Sequence, residues 1–442
     1  MALSKIVFKD ETQLKEHIKT HTPTFYMSSG TSTVIPYDKL AEIYKDSDFV
    51  IGDLSQLSPE MTLLNNGDLK IKGAVNWKDA NDFLKQYKRV IKTAPTEDLA
   101  LIIAGAATSA TGERCFHFGN FRSQIKEISY LNYNGEKVIL KSENEFPKHY
   151  KNLYAFQNEY SRYEDFKNAP YPRFEKETDL LIGTEGQLGV ITDIVIETAL
   201  EKNVQHLFLL LPKWEDSPES HIEVINKVQA YRSDLILCEL IDSNSFNYLP
   251  ENERPNKNKD AIFFEVFEDK FEHFYETFLS DLSFLDENEV FELNATKFHH
   301  IRASIPRAVF EENSKMGVVK MGTDVQVKTS DFHELLEIYK SFTKIGVNYN
   351  LFGHFGDAHL HFNFMPKKDQ TNLCKEQFEK MYERVLKLSG SPFAEHGIGI
   401  IKQKFIQNFW NNKIYDMFSE LKKEHDPHSQ FFPQGFMSLE KK

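Results

Sequence analysis

Short apolar runs separated by glycine-bearing turns fill the first half of the chain. Phe49-Val50-Ile51, Leu69-Lys70-Ile71 and Leu99-Ala100-Leu101-Ile102-Ile103 predict strands, being brief, apolar and bounded by polar residues. Trp77, Phe83, Leu84 and Tyr87 recur at helical spacing and predict a helix over 77–87. Thr93-Ala94-Pro95-Thr96-Glu97 is a turn that opens a new subdomain. Residues 125–133 alternate apolar and polar up to Asn134-Gly135, a hairpin turn before Val138-Ile139-Leu140. Leu180-Leu181-Ile182 and the run 190–196 predict two more strands around a glycine turn. Past a boundary near 198–201, the run 204–211 reads as a buried strand, and helical and strand segments alternate to about residue 390. The stretch 251–260 reads as a solvated loop. Mixed elements without a regular βαβ rhythm predict an α+β fold.

A chain of 442 residues predicts two domains. Its composition, 40% hydrophobic with 37 phenylalanines, supplies a large interior. A net charge of −13 with no long basic block argues against nucleic acid as a partner, because clustered Lys and Arg supply most of that affinity. Cys115, Cys238 and Cys374 are far apart and odd in number, which argues against a disulfide framework and suits a reducing cytoplasm. The opening residues lack the apolar core of a signal peptide, and no apolar run is long enough to span a bilayer. The expected location is cytoplasmic, with peripheral membrane association as the alternative.

The densest chemistry lies at Gly353-His354-Phe355-Gly356-Asp357-Ala358-His359-Leu360-His361-Phe362-Asn363 and at Ala394-Glu395-His396-Gly397-Ile398-Gly399. A lone histidine is usually a hydrogen-bonding residue, so the weight rests on the two clusters together. Neutral imidazoles with a carboxylate are the ligands a borderline divalent ion takes. On a straight strand His359, His361 and Asn363 share one face, whereas His354 lies an odd number of positions from His361. The Gly356-Asp357 turn is what could bring His354 round. Glu395 and His396 are neighbours, and the glycines that follow suggest a loop on which both could face one cavity.

Two loops of small residues precede these clusters. Residues 104–112 read Ala-Gly-Ala-Ala-Thr-Ser-Ala-Thr-Gly, and 183–189 read Gly-Thr-Glu-Gly-Gln-Leu-Gly. Neither is a GxGxxG opening a helix after a strand, which excludes a Rossmann site. The segment Ala107-Thr108-Ser109-Ala110-Thr111-Gly112-Glu113-Arg114, with Phe118-Gly119 and Arg122, resembles the pyrophosphate segment of the vanillyl-alcohol-oxidase-type (PCMH-type) flavoproteins. Residues 180–192 resemble that family's second FAD segment. Adding the patterns at 353–363 and 395–399, the chain resembles the FAD-linked D-2-hydroxyacid dehydrogenases over roughly residues 70–435.

That resemblance implies a bipartite FAD-binding domain at 1–200 with a break near 95, an α+β substrate cap at 201–390, and a segment 391–442 that returns to the FAD domain. It implies FAD held by Gly30, Thr31, Pro95, Gly105, Thr108, Ser109, Thr111, Gly112, Arg114, Gly119, Glu185, Gly186, Gly189 and Ile191. It implies a divalent metal, zinc ahead of manganese or iron, on His354, His361 and Glu395, with His396 as base and Asn363 beside the substrate. Arg302 and Lys320 resemble the cationic contacts of the substrate carboxylate. The chain departs from the family at Ser28-Ser29-Gly30-Thr31-Ser32, where an arginine and a second glycine are usual, and at His359, where asparagine is usual. The implied reaction is oxidation of a D-2-hydroxy acid, with a quinone, a cytochrome, an electron-transfer flavoprotein or oxygen as acceptor. The alternatives are a non-catalytic flavin- or metal-binding subunit of an oxidase complex, or a flavin oxidase of another alcohol.

Overall fold

The predicted alternation at 125–133 becomes one of the inner strands of a five-stranded antiparallel sheet. Its order is Glu60–Leu63, Leu69–Lys72, Val190–Ile196, Ile125–Leu131, Lys137–Lys141 in the computed structural model, which describes residues 4–45, 49–255, 258–318 and 321–441. The helix Trp77–Lys85 starts where Asn76 accepts the Asp79 amide at 2.7 Å, and it buries Trp77, Ala80 and Leu84 on one side. Ser4–Val7, Val50–Asp53 and Thr24–Met27 form a small parallel sheet.

Two expected strands are absent. Residues 99–103 give a turn and then the helix Ile102–Ala107, because the small residues that follow let the helix lie against Trp77. A Cβ at Gly105 would stand 2.7 Å from the Trp77 ring. Residues 180–182 are buried but end a short 3-10 turn, Glu177–Leu180, and Thr184 Oγ1 donates to the Leu181 carbonyl at 3.1 Å. A three-residue apolar run cannot by itself distinguish a strand from a buried turn.

The second half builds one eight-stranded sheet, ordered Val290–Leu293, Val204–Pro212, Lys259–Phe267, Leu235–Ile241, Asn348–His354, His359–Met365, Met321–Gly322, with Val325–Gln326 also paired to His359–Met365. One face buries Leu207, Leu209, Leu240, Phe264, Leu351 and Phe362 under the helices of this half. The other face packs Phe208, Leu210, Ile241, Phe263 and Phe352 against the long helix Ala295–Lys315 through Phe298, Ile301, Ile305 and Val309. Their spacing of three and four residues is one helical stripe, and each side chain buried this way contributes roughly 1.5–3 kcal/mol. Pro306 inside that helix leaves the Arg302 carbonyl without its usual i+4 donor.

The C-terminal stretch returns to the first half. Ile406, Trp410, Ile414, Phe418 and Phe436 bury in the same cluster as Ile128 and Ile194, and Phe431 bridges to Thr24. Among the described residues no helix is long and apolar enough to cross a membrane.

Candidate active site

A cavity of about 910 Å³ lies between the face of the large sheet that packs on the long helix, that helix itself, and the loops at 94–114 and 185–191. Hairpin register explains how its polar wall forms. Asn348–His354 pairs with His359–Met365 so that His354 stands opposite His359 and Phe352 opposite His361. Residues directly opposite on antiparallel strands point to the same face, so the odd spacing of His354 and His361 is no obstacle. The turn is closed by Ala358 in the left-handed region at φ 51°.

The carboxylate of Glu395 enters this face from a loop. His354 Nε2 lies 2.9 Å from Glu395 Oε2, His361 Nε2 3.8 Å and His359 Nδ1 3.9 Å. Each ring has its other nitrogen occupied: His354 Nδ1 meets Glu239 at 2.8 Å, His359 Nε2 meets Asp324 at 3.1 Å, and His361 Nδ1 donates to the Thr323 carbonyl at 3.0 Å. The remote acceptors fix the rings and aim three nitrogens at one point. Burial pushes His359 down to about 4 and His361 well below its usual value, the latter with help from His359 and His396. Burial acts on His354 in the same sense, but the Glu239 carboxylate, with Glu395, overrides it and raises the ring to about 9. For Glu395, burial is outweighed by His354, so its carboxyl stays well below the usual range.

His396 lies beside this group, its ring stacked on His361 at 5.2 Å and its Nδ1 3.6 Å from Asp324 Oδ2. Asp324 organises the whole segment. It accepts the Glu395 and His396 amides, each at 3.0 Å, and the Lys402 ammonium at 2.5 Å. Burial would raise its carboxyl, but Lys402, His396 and His359 hold it well below its usual value. Arg302 reaches the cavity from the long helix and pairs with Glu113 at 2.5 Å and Glu239 at 3.4 Å. Burial opposes the ionisation of Glu113, yet Arg302 lowers it to about 2.

The C-terminal half of this site matches a known family: residues 216–434 fit the FAD linked oxidases, C-terminal domain. The D-lactate dehydrogenase [cytochrome] of Kluyveromyces lactis mitochondria is 21% identical over 415 residues, covering 88% of this chain and 66% of that protein. A glycolate oxidase subunit of Bacillus subtilis is 19% identical over 270 residues, 58% of this chain and 56% of that protein. A probable mitochondrial D-2-hydroxyglutarate dehydrogenase of Oryza sativa subsp. japonica is 26% identical over 275 residues, 58% of this chain and 47% of that protein. Residues 216–434 thus belong to the FAD-linked oxidase family. The fold of the chain is that of a solved alkyldihydroxyacetonephosphate synthase, with a TM-score of 0.68 at 12% identity over 97% of this chain and 75% of that one. The chain spans 66% and 63% of the length of the first curated relatives it matches.

Of the residues expected to hold cofactor, Thr31, Pro95, Gly105, Thr108, Thr111, Arg114, Glu185, Gly186, Gly189 and Ile191 line the cavity. Gly30, Ser109, Gly112 and Gly119 do not. Ser109 is buried beneath the wall, where its hydroxyl accepts from Arg122 at 2.8 Å, and the Gly119 carbonyl accepts from Thr93. The space beside Gly112 is filled by protein, since a Cβ there would stand 1.9 Å from the Ala94 carbonyl oxygen. Asn363 also departs from expectation. It is fully buried and donates to Asn350 at 2.9 Å, away from the cavity lining. Asp357 turns from the histidines toward Lys167 and Arg232. Lys320 lies outside the described residues.

His354, His361, Glu395, His396 and Arg302 converge as a group, and His359 joins them as a third buried imidazole. Asp324, Glu239 and Glu113 complete the site without having been singled out beforehand. Glu239 carries a visible signal, as the only charge in the otherwise apolar strand Leu235–Ile241.

Glu185 ties the second small-residue loop to the segment after His396. Its carboxylate accepts the Ile398 amide at 2.6 Å and the Gly399 amide at 3.0 Å. Gly399 sits at φ 51°, and a Cβ there would approach the Val34 carbonyl to 2.4 Å, so only glycine admits this contact. Burial raises Glu185 from 4.5 to about 7 despite those amides. A carboxyl raised in the folded state binds more protons there than when unfolded, so stability falls as pH rises from about 4.5 to about 7. Glu185→Gln should remove that slope. The melting temperature of the flavin-free parent, measured relative to the variant, should decline across this window; parallel curves would show that the carboxyl is ionised throughout.

Proposed function

We propose that this protein is an FAD-dependent oxidoreductase that converts a D-2-hydroxy acid of D-lactate type to its 2-oxo acid, assisted by a divalent metal at the Glu395 cluster. The observation that carries this function is the aim of the three imidazoles, each tied back by an acceptor and pointed at the Glu395 carboxylate. That is how metal-binding histidines are built. His354, His361 and Glu395 would hold the ion, zinc ahead of manganese or iron, and His359 offers a fourth donor. Binding would displace the proton that His354 Nε2 shares with Glu395.

The other wall suits FAD. Thr111 Oγ1 is buried without a hydrogen-bond partner among the described residues, and small side chains at 104–108 leave room beside it. In this assignment residues 1–200 and 391–442 hold the flavin and 201–390 cover the substrate. When bound, FAD supplies the two-electron acceptor for the hydride leaving the substrate Cα. The metal, when bound, supplies Lewis acidity at the substrate carboxylate and hydroxyl.

The chain's own residues do the rest. Arg302 anchors the substrate carboxylate, with Glu113 and Glu239 keeping the guanidinium extended from the helix. His396, with Nδ1 turned to Asp324, takes the hydroxyl proton at Nε2. The test is anaerobic stopped-flow mixing of the flavin-loaded protein with a panel of D-2-hydroxy acids and their L enantiomers. Bleaching by D acids is expected, and no bleaching by any member would sink the proposal. Arg302→Ala should raise the half-saturating concentration about ten- to hundredfold, the worth of a charge-assisted hydrogen bond.

The altered first loop leaves the 104–114 wall as the main cradle. Gly112→Val should therefore abolish flavin binding indirectly, by forcing the Ala94-Pro95 wall out of place. Flavin absorbance co-eluting with the folded variant at the parental level would refute that.

A further inference from the structure

The same sheet face carries a second cluster that the proposed reaction does not use. His206 and Glu265 stand directly opposite each other on paired strands, so both project toward the long helix. His299 approaches from that helix, its ring 5.3 Å from that of His206. One potential ligand atom from each of the three lies within 4.8 Å of the others. His206 and Glu265 are buried, at 5% and 2% exposure, and His206 Nε2 and Glu265 Oε2 have no hydrogen-bond partner among the described residues.

An unpaired imidazole nitrogen beside an unpaired carboxylate oxygen is costly in a protein interior. Arg114 reaches only the other oxygen of Glu265, at 3.4 Å. Burial, then His299 and Arg302, push His206 down to about 4, which leaves its lone pair available. Two imidazoles and a carboxylate form the three-ligand set of an open zinc site. Glu265 and His299 line the cavity, so the remaining coordination position opens into it. The strands of Glu265 and His354 are separated by one strand, which places the two clusters roughly 10 Å apart at their near edges.

We propose that His206, Glu265 and His299 form a second site for a borderline divalent ion, separate from the Glu395 cluster and opening into the same cavity. The probe is cobalt(II), titrated into chelator-stripped, flavin-loaded protein and followed by its visible ligand-field absorption and by metal analysis after gel filtration. The parent should take up about two equivalents. His299→Ala, an exposed position on the helix, should lose about one of them while keeping its fold, and Glu395→Gln should lose the other. Uptake unchanged by His299→Ala, whatever the parental stoichiometry, overturns the second site and leaves the Glu395 site untouched. Loss in His299→Ala with none in Glu395→Gln supports the second site and removes the metal from the proposed reaction.

Discussion

Glu395→Ala and His361→Ala are each expected to lose bound metal and nearly all substrate-driven flavin reduction while retaining FAD. Glu395 Oε2 is the point on which His354, His359 and His361 converge at 2.9–3.9 Å. Three ligands are the minimum for a firm site, so deleting one should be severe. The two variants differ in their side effects. His361→Ala removes a neutral ring, leaving the Thr323 carbonyl without one donor. Glu395→Ala leaves the buried, protonated His354 facing only Glu239, and breaking one side of a buried ion pair costs about 3–5 kcal/mol. Glu395→Gln keeps the volume and separates loss of ligand from loss of fold. Metal analysis, flavin absorbance and anaerobic reduction are read on the same samples. A metal-free variant that reduced its flavin at the parental rate would show that the ion is not catalytic.

The residues of this site were legible in the sequence, and their arrangement was only partly so. His354, His361, Glu395 and His396 stand in two dense motifs, and proximity in sequence carried most of the way. What could not be read was the register. The odd spacing of His354 and His361 argued against a shared face on one strand, whereas the hairpin places His354 opposite His359 and dissolves the difficulty. Asn363 fails for the converse reason. It shares the face of His361 by alternation, but it lies two residue pairs further from the turn, where Asn350 engages it and protein covers it. Acids on apolar strands are the signal that went unread. Glu239 and Glu265 each interrupt a run of apolar residues in a buried strand, and both face the cavity. Residues 99–103 and 180–182 read as strands because apolar composition reports burial, and Leu101 to Ile103 and Leu180 to Ile182 share burial with strands while Leu99 is exposed.

His396→Ala should keep both FAD and metal yet slow flavin reduction by about two to four orders of magnitude, the usual worth of a positioned base. The geometry separates this ring from its neighbours. Its side chain is 28% exposed and lines the cavity, whereas His359 is fully buried behind Glu395 and absent from the lining. His359 therefore cannot inherit the proton if His396 is removed. Asp324 fixes the His396 backbone at 3.0 Å and faces its Nδ1 at 3.6 Å, which holds the ring at the cavity wall. Only the neutral ring can accept a proton, so parental reduction should rise with pH along a limb that His396→Ala lacks. The Arg302 variant should keep that limb and instead demand more substrate, because anchoring the carboxylate precedes proton removal. His396→Ala turning over at the parental rate, or sharing the parental pH profile, would reduce His396 to a structural neighbour of Glu395.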